Sequence, residues 1–255
     1  MIYITGDTHA SFSRFTVAQF PEQSGMTWDD FVIICGDFGG VWDRDSSSST
    51  EEYWLNWLSQ KPFTLLFVDG NHENFDRLKR FPVIKFRGGK AHKIRDNIYH
   101  LMRGYVFDLQ GKTFFTFGGA SSHDISDGIL DEKDYPSYFS LMHDFRARRE
   151  MGQMVRVNHV SWWKDELPEK YEMDRGLENL RKAGFKVDFV VTHCLPQSAQ
   201  SSLGFFGSDR LTRYFESLVS DHGLEFGRWY CGHYHIEDRT LDKYVVKYGN
   251  IERIV

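Results

Sequence analysis

"RWYCGHYHIED", residues 228–238, closes an apolar run with a glycine and then sets two histidines one residue apart. Trp229, Tyr230 and Cys231 read as the end of a buried strand, and Gly232 permits the backbone to turn sharply away from it. His233 and His235 then lie where a loop leaves a sheet. Residues two apart in extended chain project to the same side, so this reading aims both imidazoles at one point, with a metal ion as an obvious occupant. An H-x-H pair alone fits a surface turn equally well, and the choice rests on partners elsewhere.

The same punctuation recurs along the chain. "MIYIT" (1–5) runs into "TGDTHA", with Asp7 and His9 behind Gly6. "FVIIC" (31–35) ends in "CGDFGG", with Asp37 behind Gly36. "FTLLFV" (63–68) ends in "VDGNHEN", with Asn71 and His72 behind Gly70, and "VDFVVT" (187–192) ends in His193. Further strand-like runs lie at 98–109, 112–117, 243–249 and 251–255, and helical spacing appears at 50–59, 73–80, 168–183 and 208–221. Strand and helix alternate, which predicts a layered α/β sandwich, and the continuously apolar strands imply sheets covered on both faces. In an α/β sheet the carboxyl ends of the strands share the edge where ligands bind, so these residues are expected to converge.

With 255 residues, the chain suits one large domain, expected over 1–255. The composition is 41% hydrophobic and 26% charged, typical of a globular enzyme and far from disorder. A net charge of −5 disfavours broad coating of nucleic acid, while leaving room for a local basic groove. The N-terminus lacks the basic, then apolar, pattern of a secretory signal, and no run approaches the roughly 20 apolar residues of a membrane span. A cytoplasmic location and no membrane partner are therefore expected. Cys35, Cys194 and Cys231 are odd in number and widely spaced, which excludes a disulfide framework. They read as small buried residues at strand ends or as thiols touching a metal centre. Residues 121–167 break the strand–helix pattern with a polar, aromatic-rich stretch, either a lid or specificity insertion or a surface excursion packed on the main core.

The candidate ligands, Asp7, His9, Asp37, Asn71, His193, His233 and His235, combine hard oxygen with imidazole. That set suits Mn, Fe, Zn or Ni rather than an all-thiolate structural zinc. It exceeds the needs of one tetrahedral ion and fits two divalent ions sharing a bridge. Asp37 is the natural bridge, because Asp7 is already paired locally with His9.

The order D-x-H, G-D, G-N-H-E, a lone His and G-H-x-H resembles the calcineurin-like metallophosphoesterase family, over residues 6 to 235. The resemblance implies a four-layer α/β/β/α sandwich with a dinuclear centre. It implies a first metal held by Asp7, His9, Asp37 and His235 and a second by Asp37, Asn71, His193 and His233. Residues 119–167 resemble a subset of bacterial and phage members through Gly119, Asp124, Arg148 or Arg149, and Ser161 to Glu166. Many relatives read G-D-x-x-D-R after the second strand, the later Asp orienting the catalytic histidine and the Arg helping to hold phosphate. Gly40 and Val41 stand there instead. An orienting group for His72 is then sought in Asp69, Asp43 or a backbone carbonyl, and phosphate donors in Arg14, His123 and Arg148, with Asp124 a further candidate for substrate contact.

The expected chemistry is hydrolysis of a phosphate ester on a small or medium phosphorylated substrate. A hydroxide bridging two ions, with Asp37 holding the pair, attacks phosphorus, and His72 protonates the departing oxygen. A nuclease or phosphodiesterase acting on nucleotides is the alternative use of the same centre, with Trp162 or Trp163 available to stack a single strand. A non-catalytic scaffold is the third reading.

Overall fold

A computed structural model describes residues 1–255. Strands β1 (Ile2–Thr5), β2 (Phe31–Ile34) and β3 (Thr64–Phe67) are followed by β4 (Val83–Phe86), β5 (Gly89–Arg95) and β6 (Ile98–Leu101). Next come β7 (Tyr105–Leu109), β8 (Lys112–Phe117), the short β9 (Gly128–Leu130) and β10 (Val155–Val157), then β11 (Lys186–Thr192) and β12 (Glu225–Cys231). The chain ends with β13 (Arg239–Leu241), β14 (Tyr244–Val246) and β15 (Glu252–Arg253). One sheet has seven strands in the order β15-β1-β2-β3-β6-β5-β4, and the other six in the order β13-β14-β12-β11-β8-β7. Pairing is parallel through β1, β2, β3 and β6, and again through β8, β11, β12 and β14. Parallel pairing brings the carboxyl ends of these strands to a common edge of each sheet.

The period of two along the strands sorts side chains into three cores. Ile2, Ile4, Phe31, Ile33 and Leu66 meet Phe107, Phe114, Val191 and Tyr230 between the sheets. Tyr3, Val32, Ile34, Leu65 and Phe67 point outward under helix α1 (Ser49–Ser59) and the aromatic segment Phe12, Phe15 and Phe20. Phe115, Phe117, Val190 and Trp229 point outward on the second sheet. They pack against Leu180 of α4 (Lys170–Lys182) and Leu211, Phe215 and Leu218 of α6 (Arg210–Ser220); the remaining helices are α2 (Phe75–Leu78), α3 (Tyr138–Glu150) and α5 (Gln197–Ser202). The result is a four-layer α/β/β/α sandwich: the strand–helix alternation implies the layering, and the family resemblance implies the four layers. Its helices end where the local chemistry stops them. Ser48 caps α1 by accepting the Glu51 N–H, and Asp209 caps α6 by accepting the N–H groups of Leu211 and Thr212.

Several elements were not legible in the sequence, the β4–β5 hairpin and α3 among them. The hairpin β4–β5 carries an alternating, half-exposed pattern on β4 without a strong apolar run. Helix α3 lies inside the stretch read as an excursion, and it buries only Leu141 along its length. Leu141 joins Leu130 and Val157 in a small separate core, so residues 121–167 include a small folded unit of their own. Its sheet, β9 beside β10, is parallel and two-stranded. The unit is also anchored to the main body: Trp163 is fully buried, packs edge-on to Trp42 at 5.7 Å and donates its indole N–H to Asp76.

Candidate metal centre

Each glycine behind a site residue has a spatial reason, and among Gly6, Gly36, Gly70 and Gly232 only Gly36, with φ of 98°, has a torsional one as well. A Cβ on Gly232 would lie 1.9 Å from Asp7 Oδ1, and one on Gly70 would lie 2.0 Å from Asp37 Oδ1. Neither glycine has a positive φ. The expected sharp turn at Gly232 is therefore replaced by a close approach: the carboxylate of one strand end fills the space that a side chain on the next would need. The strain falls on the site residues themselves. His9, Asp37, His233 and His235 have φ of 43°, 48°, 72° and 47°. Left-handed backbone at a non-glycine residue costs roughly 1–3 kcal/mol, and clusters of it mark functional sites. Each fully buried Leu, Ile or Phe returns roughly 1.5–3 kcal/mol, so the three cores carry the strain easily.

These torsions overturn one expectation. His233 and His235 do not share a side as extended residues would. His235 turns to Asp7 Oδ2 at 2.9 Å and to His9 Nε2 at 3.0 Å. His233 turns the other way, its ring 4.9 Å from that of His193 and its Nε2 2.9 Å from His123 Nε2. The pair serves two neighbouring points.

Around the first point, donor atoms of Asp7, His9, Asp37 and His235 all lie within 4.8 Å of one another. His9 Nε2 is 3.7 Å from Asp7 and 3.6 Å from Asp37 Oδ2. Around the second, His193 Nε2 lies 3.3 Å from the same Asp37 Oδ2, which places Asp37 between the groups. His193 Nδ1 donates to the Cys35 carbonyl at 2.7 Å, so Nε2 is the ring nitrogen turned toward the cluster. Both His193 Nε2 and Asn71 Oδ1 are buried without a hydrogen-bond partner. Orphaned acceptors in a well-packed interior need an explanation, and oxygen and imidazole donors facing a carboxylate fit a divalent cation. The electrostatics agree. Burial alone would lower the pKa of His193, yet the Asp37 and Asp7 carboxylates pull it up to about 10. Asp37 is held well below the usual carboxylate range, its burial outweighed by His193, His72 and His9. Buried negative charge here draws a positive partner.

Asn71 is oriented from outside the cluster. Its side-chain N–H donates to Ser122 Oγ at 3.4 Å, leaving Oδ1 free. Ser122 is itself fixed by Glu166, through its hydroxyl at 2.5 Å and its N–H at 3.0 Å. Glu166 closes the S-W-W-x-x-E stretch, which gives that signature a role in positioning Asn71.

His72 donates its backbone N–H to Asp37 Oδ1 at 2.7 Å. Its ring lies between His9, centroids 5.4 Å apart, and Trp42, 6.2 Å apart, with no side-chain hydrogen bond. Neither proposed orienting carboxylate serves it. Asp69 is held by Arg103 and His100, and Asp43 accepts the Ser48 N–H. Packing takes the place of an orienting acid. Burial pushes the His72 imidazole down to about 4, against the pull of Asp37.

The four substrate-contact candidates separate. His123 reaches the site and lines, with Asp37, Asn71, His72, Phe205 and His233, a cavity of about 480 Å³. Arg14 does not: its guanidinium donates to the carbonyls of Gly6, Asp7 and Tyr248 and to Thr5 Oγ1, bracing the loop after β1 from behind. Arg148 pairs with Asp144 one turn away on α3. Asp124 accepts both of its short bonds from Arg156 Nε, at 2.9 and 2.8 Å. Arg156 is the arginine that the sequence reading missed, and its charge is among the groups lowering the His72 pKa. The signal was present in "VRV": Val155 and Val157 are buried on one side of β10, and the residue between them must face the other way.

All three cysteines are buried and unpaired, and burial pushes each thiol pKa up. They are packing residues, and Cys35 contributes its carbonyl to His193.

A family model, calcineurin-like phosphoesterase, matches residues 1–237 of the chain. The chain belongs to that family. The matched span runs through every candidate ligand and stops just beyond His235. No curated protein matches the sequence. No helix is long and apolar enough to cross a membrane.

Proposed function

We propose that this phosphoesterase hydrolyses a phosphate ester of a small or medium substrate at a centre of two divalent ions. The observation that carries the reading is Asp37, whose Oδ2 stands 3.6 Å from His9 Nε2 and 3.3 Å from His193 Nε2. Asp7, His9, Asp37 and His235 would hold one ion, and Asp37, Asn71, His193 and His233 the other. Bound divalent ions, Mn, Fe, Zn or Ni by the donor set, supply Lewis acidity toward phosphoryl oxygen and lower the pKa of water.

The chain's own residues do the rest. Asp37 draws both halves of the cluster together and fixes the His72 backbone through Oδ1. His72 is placed beside the cluster without being needed as a ligand, and in its imidazolium form would give a proton to the departing ester oxygen. His123 and Arg156 are the donors offered to phosphoryl oxygens, in place of the arginine whose position Val41 occupies in the outer core. An intact set of ligand-type side chains, with two acceptors left unpaired, weighs against a scaffold.

The test is hydrolysis of p-nitrophenyl phosphate and bis-p-nitrophenyl phosphate with Mn, Fe, Ni, Zn and Mg, alongside metal content of the purified chain. Two ions per chain and turnover with at least one metal are expected. Preference for the diester would favour nucleotides as substrates, and inactivity with every metal would refute an enzyme.

A further inference from the structure

The geometry points to a leaving-group subsite beside the metal centre, built for a flat, uncharged aromatic ring. This rests on the reading of the site as a phosphoesterase. A cleft of about 350 Å³ begins at His9 and His72 and runs away from the metal-side cavity. That volume falls within the range of small-molecule pockets, about 300–1,000 Å³. Its walls are Phe12, Trp42 and Trp54. The aromatic walls are fixed: Trp54 stands edge-on to Phe12 at 5.8 Å, and Trp42 is held by Trp163 on its far side. The cleft therefore presents rigid π faces, which take planar rings in offset or edge-on packing better than saturated ones of the same size.

Its position names the part of the substrate it would hold. His72 lies at the junction of this cleft with the cavity over Asp37, Asn71 and His233, so a phosphoryl group seated there sends one ester substituent past His72 into the cleft. That substituent is the one whose oxygen His72 protonates. The rim settles its charge. Glu51 is neutralised by Arg77, with contacts of 2.5 and 2.7 Å, but the Asp43 carboxylate remains at the cleft without a basic partner. A second phosphate is repelled there, whereas a ring bearing N–H or O–H donors is welcome. The shared chemistry is that of a nucleoside or a simple aryl alcohol.

The experiment compares 2-phenylethyl phosphate with 2-cyclohexylethyl phosphate, whose leaving alcohols match in acidity and bulk and differ in flatness. The aromatic ester should show a kcat/KM at least tenfold higher, equivalent to about 1.4 kcal/mol. Thr50→Trp places a bulky group at the exposed mouth of the cleft. It should bring that ratio to near one while leaving hydrolysis of ethyl phosphate unchanged. Trp54→Ala should reduce the ratio independently. Adenosine 5′-phosphate outrunning the phenylethyl ester identifies a nucleoside arm, and the reverse order an aryl alcohol. Adenosine alone should quench tryptophan emission saturably in the native protein and not in Thr50→Trp. A ratio near one in the native enzyme, or a ratio untouched by Thr50→Trp, overturns the subsite while leaving the phosphoesterase reading intact. Failure of that reading would show as no hydrolysis of any ester, with adenosine binding still measurable.

Discussion

Two buried clusters of aspartate and histidine meet at the end of β3, where Asp69 and Asn71 stand two residues apart, and only one is built to hold something else. In the first, Asp37 and Asp7 face His9, His193 and His235, while Asn71 Oδ1 and His193 Nε2 are left without partners. In the second, Asp69 accepts from Arg103 at 2.8 Å and from His100 at 3.0 Å, and His100 Nδ1 meets His92 Nδ1 at 3.0 Å. Burial is equal: Asp69 and Asp37 are each 1% exposed. The difference is an internal cation. Arg103 neutralises Asp69 and spends its remaining donors on Glu172 and the Asp165 carbonyl, so the second cluster is closed. The first has no lysine or arginine among its members, and its charge is left for an ion. A histidine–carboxylate cluster is a ligand site when its acceptors outnumber its own donors.

Asp37→Asn tests the open cluster most severely. Loss of most bound metal and a fall in turnover of about a thousandfold or more are expected, since one oxygen serving both halves is removed. Two ions per chain in the variant, counted by elemental analysis, would break the contrast. Arg103→Met is the matching change in the closed cluster. It strands a buried carboxylate and should cost about 3–5 kcal/mol in denaturant unfolding, with metal content per folded chain unaltered. A variant that stays stable but gains a metal ion would show that the two clusters differ only in their resident cation.

His72→Ala separates chemistry from ligation. Turnover of an alkyl phosphate should fall about a hundredfold or more, and that of p-nitrophenyl phosphate much less, because nitrophenolate needs little protonation. Metal content should not change, and equal losses on the two esters would remove His72 from the acid role. The smallest effect concerns pH. Burial, helped by His100, pushes His92 from 6.5 down to about 4. The unfolded chain takes up this proton first on acidification, so the stability held by neutral His92 is full above pH 6.5 and drains as pH falls toward 4. A loss on the order of 2 kcal/mol across that window is expected, from unfolding measured at several pH values. His92→Gln should flatten the slope, and an unchanged slope would place the acid sensitivity elsewhere.

The metal-capable residues were readable because each follows a strand whose apolar run announces it. Parallel pairing then made convergence a consequence of topology rather than of any one motif. Arg14 and Arg148 misled because charge and proximity in sequence say nothing of which way a guanidinium points. Arg14 turned to backbone carbonyls, and Arg148 to its own helix neighbour. Ser122, and what Glu166 does, were hidden for a similar reason: together they form a hydrogen-bond relay to Asn71 across distant segments. Helix α3 was missed because it faces solvent on most sides and has little apolar periodicity to show.

The sequence by itself determined the layered α/β order, the strand ends and the chemical character of the ligand set, because hydrophobic period and residue type are local properties. Tertiary structure decided which way His233 and His235 diverge, what holds Asn71 in place, and which buried aspartate is closed by an arginine. Those outcomes depend on left-handed torsions and on groups meeting across two sheets, and both are set only when all three cores pack at once.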